Sequence, residues 1–130
     1  MNRKLAALAL TIGVAVVAPA ALAHHSFNMF SLDKVVTVPG TIKSVSWKMP
    51  HVWVYATVTT DAGATEDWGF EAHSPNLVAR KGWGSQTLKP GDKVAITMHP
   101  MKDGTKAGSL IYFVGADGKK LWNADSINNP

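Results

Sequence analysis

HVWVYATV, residues 51–58, alternates without a break: Val52, Val54, Ala56 and Val58 fall on one parity, and His51, Trp53, Tyr55 and Thr57 on the other. A period of two is that of a β-strand with one face on a core and the other turned away from it. The valines therefore define the core side. His51, Trp53 and Tyr55 point outward.

Upstream, VVTVPGTIKSVSW (35–47) is rich in Val, Thr and Ile, with Pro39-Gly40 marking a bend or bulge, and Lys48-Met49-Pro50 is the turn between the two strands. Downstream, Asp61-Ala62-Gly63 is a turn, and EDWGFEA (66–72) is the partner strand of a hairpin. Ser74-Pro75 reads as an N-cap with proline at the first helical position, opening a short helix, NLVARKG (76–82), that Gly82 ends. The turn Lys89-Pro90-Gly91-Asp92 leads into a fourth strand, KVAITMHP (93–100). Asp103-Gly104 is a loop, SLIYFVG (109–115) a strand, and Ala116-Asp117-Gly118 a tight turn into KKLW (119–122).

Three strands, a short helix, then two or three strands is the order of an OB-type barrel. The expected fold is mostly β: a small five- to six-stranded OB-like barrel over residues 35–122, with one short helix between strands three and four. An open, strongly twisted sheet carrying one helix is the alternative. Residues 24–34 are expected to form an extended lead-in whose Phe27 and Phe30 dock on the core. NADSINNP, 123–130, reads as a polar, frayed tail.

The first 23 residues are built differently. Arg3 and Lys4 form a basic start, Leu5 to Val17 an apolar, Ala-rich middle, and Ala21-Leu22-Ala23 an A-x-A end. That order is a secretory signal peptide, 1–23, with cleavage expected after Ala23. The alternative, a retained anchor, has an apolar segment somewhat short for a spanning helix. Cleavage leaves 107 of the 130 residues and removes two positive charges, so 11 Lys and Arg face 9 Asp and Glu. Much of the basic character belongs to the signal, and nucleic-acid binding loses its compositional support. No other segment is long and apolar enough to span a bilayer as a helix. The chain has no cysteine, so an exported domain of this size must rest on its hydrophobic core without disulfides.

The motifs AHHSFNMF (23–30), PGTIKSVSWKMPHVWV (39–54), WGFEAHSPNLVARKGW (68–83), LKPGDKV (88–94) and DGTKAGSL (103–110) together resemble a family of exported proteins of Gram-negative bacteria classed as a domain of unknown function. The resemblance covers residues 23–122. It implies a small periplasmic β-barrel domain and carries no established activity or catalytic residues with it. Met49 stands where that family usually has an asparagine before the Pro-His pair.

Cleavage after Ala23 would make His24 residue one and His25 residue two. A free α-amino group has a pKa near ~7.7, so a good fraction is deprotonated at neutral pH. That amine and the imidazole of His24 can close a chelate around a metal, and His25 offers a third nitrogen. Nitrogen-rich tetragonal sets favour Cu(II), which also tops the affinity order of divalent first-row metals, so copper is the first expectation, with zinc or nickel behind it. His51, His73 and His99 are further imidazoles, and Met29, Met49, Met98 and Met101 are soft thioethers suited to Cu(I). The plainer reading makes His24 and His25 idle polar residues behind a processing site.

A hairpin symmetric about residues 61–63 pairs 51 with 73 and 53 with 71. His51, His73 and Glu71 then meet at one end of an outward face that also carries Trp53 and Tyr55, on the surface where OB-type barrels usually hold ligands. The plainer reading is an ordinary polar rim in which His51 holds the turn backbone. Of the five tryptophans, Trp47, Trp53, Trp68, Trp83 and Trp122, two or three are expected in the core, with Trp83 anchoring the helix end. The others could form a stacking platform. Met98 and Met101 flank His99-Pro100 in a stretch that reads as loop-like, where packing accounts for them or soft ligation uses them.

No G-x-S-x-G elbow, no cysteine nucleophile, no Ser-His-Asp placement and no phosphate loop is present. Three functional expectations follow, in order. The first is a periplasmic metal-binding accessory protein, for copper, with His24, His25, His51 and His73 as candidate ligands. The second is a metal-free binding module using Trp53, Tyr55 and Glu71 toward a small ligand or protein partner. The third, an oxidative copper enzyme built on an amino-terminal histidine, trails both.

Overall fold

The computed structural model describes residues 27–123, apart from the side chains of Phe27 and Trp122. The expected signal peptide, His24, His25 and residues 124–130 lie outside the described residues.

Six strands and one short helix make up the domain: β1 (Val36–Ser46), β2 (Trp53–Thr59), β3 (Thr65–Glu71), α1 (Pro75–Ala79), β4 (Lys93–Pro100), β5 (Ala107–Gly115) and β6 (Lys120–Trp122). A 3-10 turn at Phe27–Met29 precedes them. β1 pairs antiparallel with both β2 and β4, β2 with β3, and β4 with β5. A parallel pairing of Gly69, Phe70 and Glu71 in β3 with Ala107, Gly108 and Ser109 in β5 closes the ring. β6 adds to the other half of β5, at Tyr112 to Val114. The fold is therefore the expected OB-type barrel, five strands closed and a sixth appended, with α1 between strands three and four.

The alternation in 52–58 places Val54, Ala56 and Val58 inside, where each is at most 1% exposed. They meet Ile42, Phe70, Val78, Ile96, Met98, Leu110 and Phe113 in one core. Hydrophobic burial of this kind contributes about 1.5–3 kcal/mol per large side chain and has to carry the fold, since no disulfide assists. Trp83 closes the helical end. Its backbone N–H donates to the Val78 carbonyl, and its ring lies 5.6 Å from that of Phe113. Trp47 and Trp68 pack on the core from its edge.

Two irregularities re-aim side chains. Between Ile42 and Ser44 the β1–β2 register shifts, so Lys43 is the extra residue of a bulge. A second shift, between Thr97 and Met98, leaves Ile111 as the extra residue on β5. At Ser74 the helix start is plainer than a capping residue suggests: Pro75 follows it, and the Ser74 side chain makes no capping bond. The stretch Met98-His99-Pro100 is strand, as the reading of 93–100 as a fourth strand expects, and is not loop-like. It belongs to β4, and Met101 bridges Phe30. Met98 is fully buried in the core.

Candidate functional site

Beyond the first residue of β2 and the last of β3 the hairpin ladder continues: the Val52 N–H donates to the His73 carbonyl at 3.0 Å, and the Ala72 N–H to the Val52 carbonyl at 2.8 Å. Trp53 stands opposite Glu71. As far as that pair the register is the one symmetric about residues 61–63; beyond it Val52 accepts from Ala72 and donates to His73, so 72 and 73 both face Val52 as in a β-bulge, and the expected partnering of 51 with 73 is not made. Val52 and Ala72 turn into the core, and His51, Glu71 and His73 come together at one barrel end.

They meet at a small cavity of about 30 Å³ lined by Phe30, His51, Glu71, Ala72, His73, Ser109 and Asn123. Its size is close to the share of liquid volume that one water molecule takes. Glu71 lies against Nδ1 of His51. Despite its outward parity, Glu71 is only 8% exposed. A carboxylate taken out of water in this way needs a partner, and the imidazole supplies it. His73 is half-buried, and burial holds its pKa below the usual 6.5. A charge on His51 lowers it further, and Glu71 opposes both effects.

Asn123 builds the remaining wall. Along the edge of β5, residues 107–109 are taken by β3 and 112–114 by β6. The Leu110 and Ile111 carbonyls fall between, and both go to Asn123: Nδ2 donates to Leu110 at 2.7 Å, and the backbone N–H to Ile111 at 2.9 Å. Asn123 Oδ1 in turn accepts the His73 N–H. The side chain that composition assigns to a polar tail is a buried bracket. The carbonyls it satisfies follow from strand pairings that no local pattern encodes.

Phe30 closes the front. It is 4% exposed and is held by its bridge to Met101, by the Ser31 N–H donating to the Pro100 carbonyl, and by the Lys102 N–H donating to the Met29 carbonyl. The expected docking of Phe30 is thus present, and it occurs at the wall of this cavity. His99 does not line it. Its Nδ1–H donates to the Lys34 carbonyl at 2.7 Å, fastening the lead-in to β4. Among the described residues no three His, Asp or Glu side chains are grouped so as to hold a metal ion by themselves.

On the neighbouring face Trp53 and Tyr55 lie with ring centroids 6.3 Å apart and planes 16° from parallel. Gly69 stands opposite Tyr55 beside them: a Cβ there would make ordinary contact, 3.4 Å from the Tyr55 ring and 3.5 Å from that of Trp53. Beside them Asp67 accepts from Lys43 and from the Thr57 hydroxyl at 3.0 Å. No helix among the described residues is long and apolar enough to cross a membrane.

Fold and site together define a small OB-type barrel with an imidazole–carboxylate pair at one end and an aromatic shelf beside it. Residues 11–110 match the Family of unknown function (DUF6152), and the chain belongs to that family. No curated protein and no solved structure matches it.

Proposed function

We propose that this is an exported periplasmic metal-binding accessory protein whose metal is copper, held by His24 and His25 of the processed amino terminus together with His51 and His73. The observation that carries this reading is the position of Phe30. It forms one wall of the cavity that His51 and His73 line, and it lies six residues after His24. Six residues reach at most about 20 Å, so an amino terminus starting at His24 is tethered within range of both imidazoles. The two parts complement each other chemically. The cavity offers two imidazoles where a metal site of this type needs three or four donors, and an amino-terminal His-His supplies an amine and two more imidazoles. Such nitrogen sets suit Cu(II) above other divalent ions.

Processed protein, with His24 confirmed as residue one by intact mass, is titrated with Cu(II) while visible absorption is followed. One equivalent is expected to bind. A version carrying one extra residue before His24 loses the chelate ring and binds more weakly, as do His51→Ala and His73→Ala. Equal binding by the extended protein overturns the amino-terminal chelate, and indifference of the processed protein to Cu(II) overturns the whole reading.

A second reading is favoured by the paired rings over Gly69: a metal-free module that stacks a small ligand on Trp53 and Tyr55. Aromatic shelves of this kind gain about 0.5–1.5 kcal/mol per ring contact beyond area burial. Ligand-induced quenching of Trp53 fluorescence in metal-free protein, absent from Trp53→Leu, is its signature.

A further inference from the structure

We infer that the Trp53–Tyr55 face takes a neutral oligosaccharide of the flat, cellulose- or chitin-like kind, its sugar rings lying on the two aromatic rings and its hydroxyls bound by Asp67, Thr57 and Lys43. The inference rests on the second reading above, that these rings stack a ligand, and not on the copper reading.

The register keeps the ground around the two rings low. On the outward face of β2, Trp53 stands between Ser46 of β1 and Glu71 of β3, and Tyr55 between Ser44 and Gly69. Glu71 is buried against His51. The remaining three neighbours are serine, serine and glycine, and Tyr55 is left 42% exposed.

Gly69 is the neighbour that the fold alone does not account for. A glycine inside a strand weakens it. Here φ is not positive, and a Cβ would make ordinary contact with both rings rather than clash. Neither backbone conformation nor packing therefore calls for glycine. Any longer side chain would stand against Tyr55 and Trp53 and cover them. A bare position in mid-strand often marks the close approach of a ligand.

The polar groups beside the rings select the ligand. Next along the same face of β3, Asp67 accepts from the Thr57 hydroxyl at 3.0 Å and from Lys43 at 2.5 Å. A hollow of about 420 Å³ lined by Lys43, Ser44, Tyr55, Asp67, Trp68 and Gly69 joins this group to the Tyr55 ring. The negative faces of aromatic rings attract the polarised C–H groups on the flat side of a pyranose. The carboxylate accepts from sugar hydroxyls, and the ammonium and the threonine hydroxyl donate to them. Lys43 and Asp67 cancel in charge, which leaves no surplus positive charge for a phosphate backbone. A flat ribbon of sugar rings matches two near-parallel aromatic rings carried side by side on a sheet.

The test uses the metal-free protein and follows the Trp53 indole and Gly69 amide signals in ¹H–¹⁵N spectra. Cellohexaose and chitohexaose, which differ by an N-acetyl group on each ring, are titrated in parallel. One or both should move these signals to saturation, and added salt should leave the Kd unchanged, as suits an uncharged ligand. Tyr55→Ala, at an exposed ring, should raise that Kd about tenfold. Gly69→Leu, which sets a side chain against both rings, and Asp67→Ala should weaken binding as well. The tighter of the two sugars identifies the source, a plain glucan or an N-acetylated one. Saturation by neither hexasaccharide overturns the inference, and so does a Kd that Tyr55→Ala and Gly69→Leu both leave at the wild-type value. Binding of a thymidine oligonucleotide in their place, weakening steeply with salt, overturns it in favour of nucleic acid. If the sugars fail while indole quenches wild type and not Trp53→Leu, only this inference falls. If nothing stacks there, the second reading falls with it.

Discussion

The backbone N–H of His73 donates to the Oδ1 of Asn123 at 2.6 Å, joining the end of β3 to a residue fifty positions later. Because the same amide group donates to the Leu110 carbonyl, Asn123 sets the distance between the His73 wall of the cavity and β5. Asn123→Ala leaves a buried donor and a buried acceptor unsatisfied and is expected to cost at least about 1–3 kcal/mol in urea unfolding. Asn123→Asp keeps the acceptor for His73 but aims a carboxylate at a carbonyl, so it should recover little. A fully stable Asn123→Ala would show that the bracket is dispensable.

Phe30 is a core-grade residue on a segment outside the barrel. Phe30→Ala should lower stability by about 3–5 kcal/mol if the lead-in is fully integrated with the fold. It should also free the lead-in for limited proteolysis between residues 27 and 35, in a barrel that otherwise resists digestion. Cleavage kinetics unchanged from wild type would mean that the bridge to Met101 and the Lys34–His99 bond suffice without the ring.

Gly108 faces inward on β5, and a Cβ there would collide with the Met98 sulfur and come 2.9 Å from the His99 carbonyl oxygen. The sulfur is the end of a flexible chain and can yield, but the carbonyl is part of β4 and cannot. Gly108→Ala is expected to cost about 1–3 kcal/mol by overpacking. Adding Met98→Val should relieve only the sulfur clash, giving a favourable but incomplete coupling in a double-mutant cycle.

The Asp67 carboxyl titrates below its ordinary 3.8, first because Lys43 hydrogen-bonds it and then because Thr57 does. The sign follows from linkage. A carboxyl whose folded pKa is depressed adds stability at pH values above 3.8 and loses it as pH falls through the lower, folded value. Carbon-detected NMR titration should place the Asp67 midpoint below 3.8, and Lys43→Met should bring it back up. An Asp67 midpoint that does not move in Lys43→Met would remove the Lys43 ammonium as its cause.

Much of the barrel and half of the site were legible before any coordinates. The alternation through Val52, Val54, Ala56 and Val58 determines which face is buried, and the turn at 61–63 determines which residues stand opposite. Together these bring His51 and Glu71 to one end, and His73 joins them through a bulge opposite Val52 that the pattern does not show. Three things lay beyond that reasoning. The bulges at Lys43 and Ile111 interrupt a period of two, and the interruption shows in the pairing but not in the residue types. The wall that Phe30 supplies to the cavity beside Glu71 comes from some forty residues away in the chain. Asn123 owes its role to two carbonyls left over between β3 and β6, so its neighbours in sequence say nothing about it. The fourth strand, by contrast, was legible to its last residue: Pro100 sits in β4 opposite Gly108.

The seam between β3 and β5 has a kinetic meaning. Residues 69–71 find their parallel partners only at 107–109, and residues 36–41 find theirs only at 93–98. Nearly the whole polypeptide must therefore be synthesised before the ring can shut, and contacts so distant along the chain place a small domain among the slower folders. Under the export proposed above, such tardiness would be useful, because it would keep the chain unfolded until it had crossed.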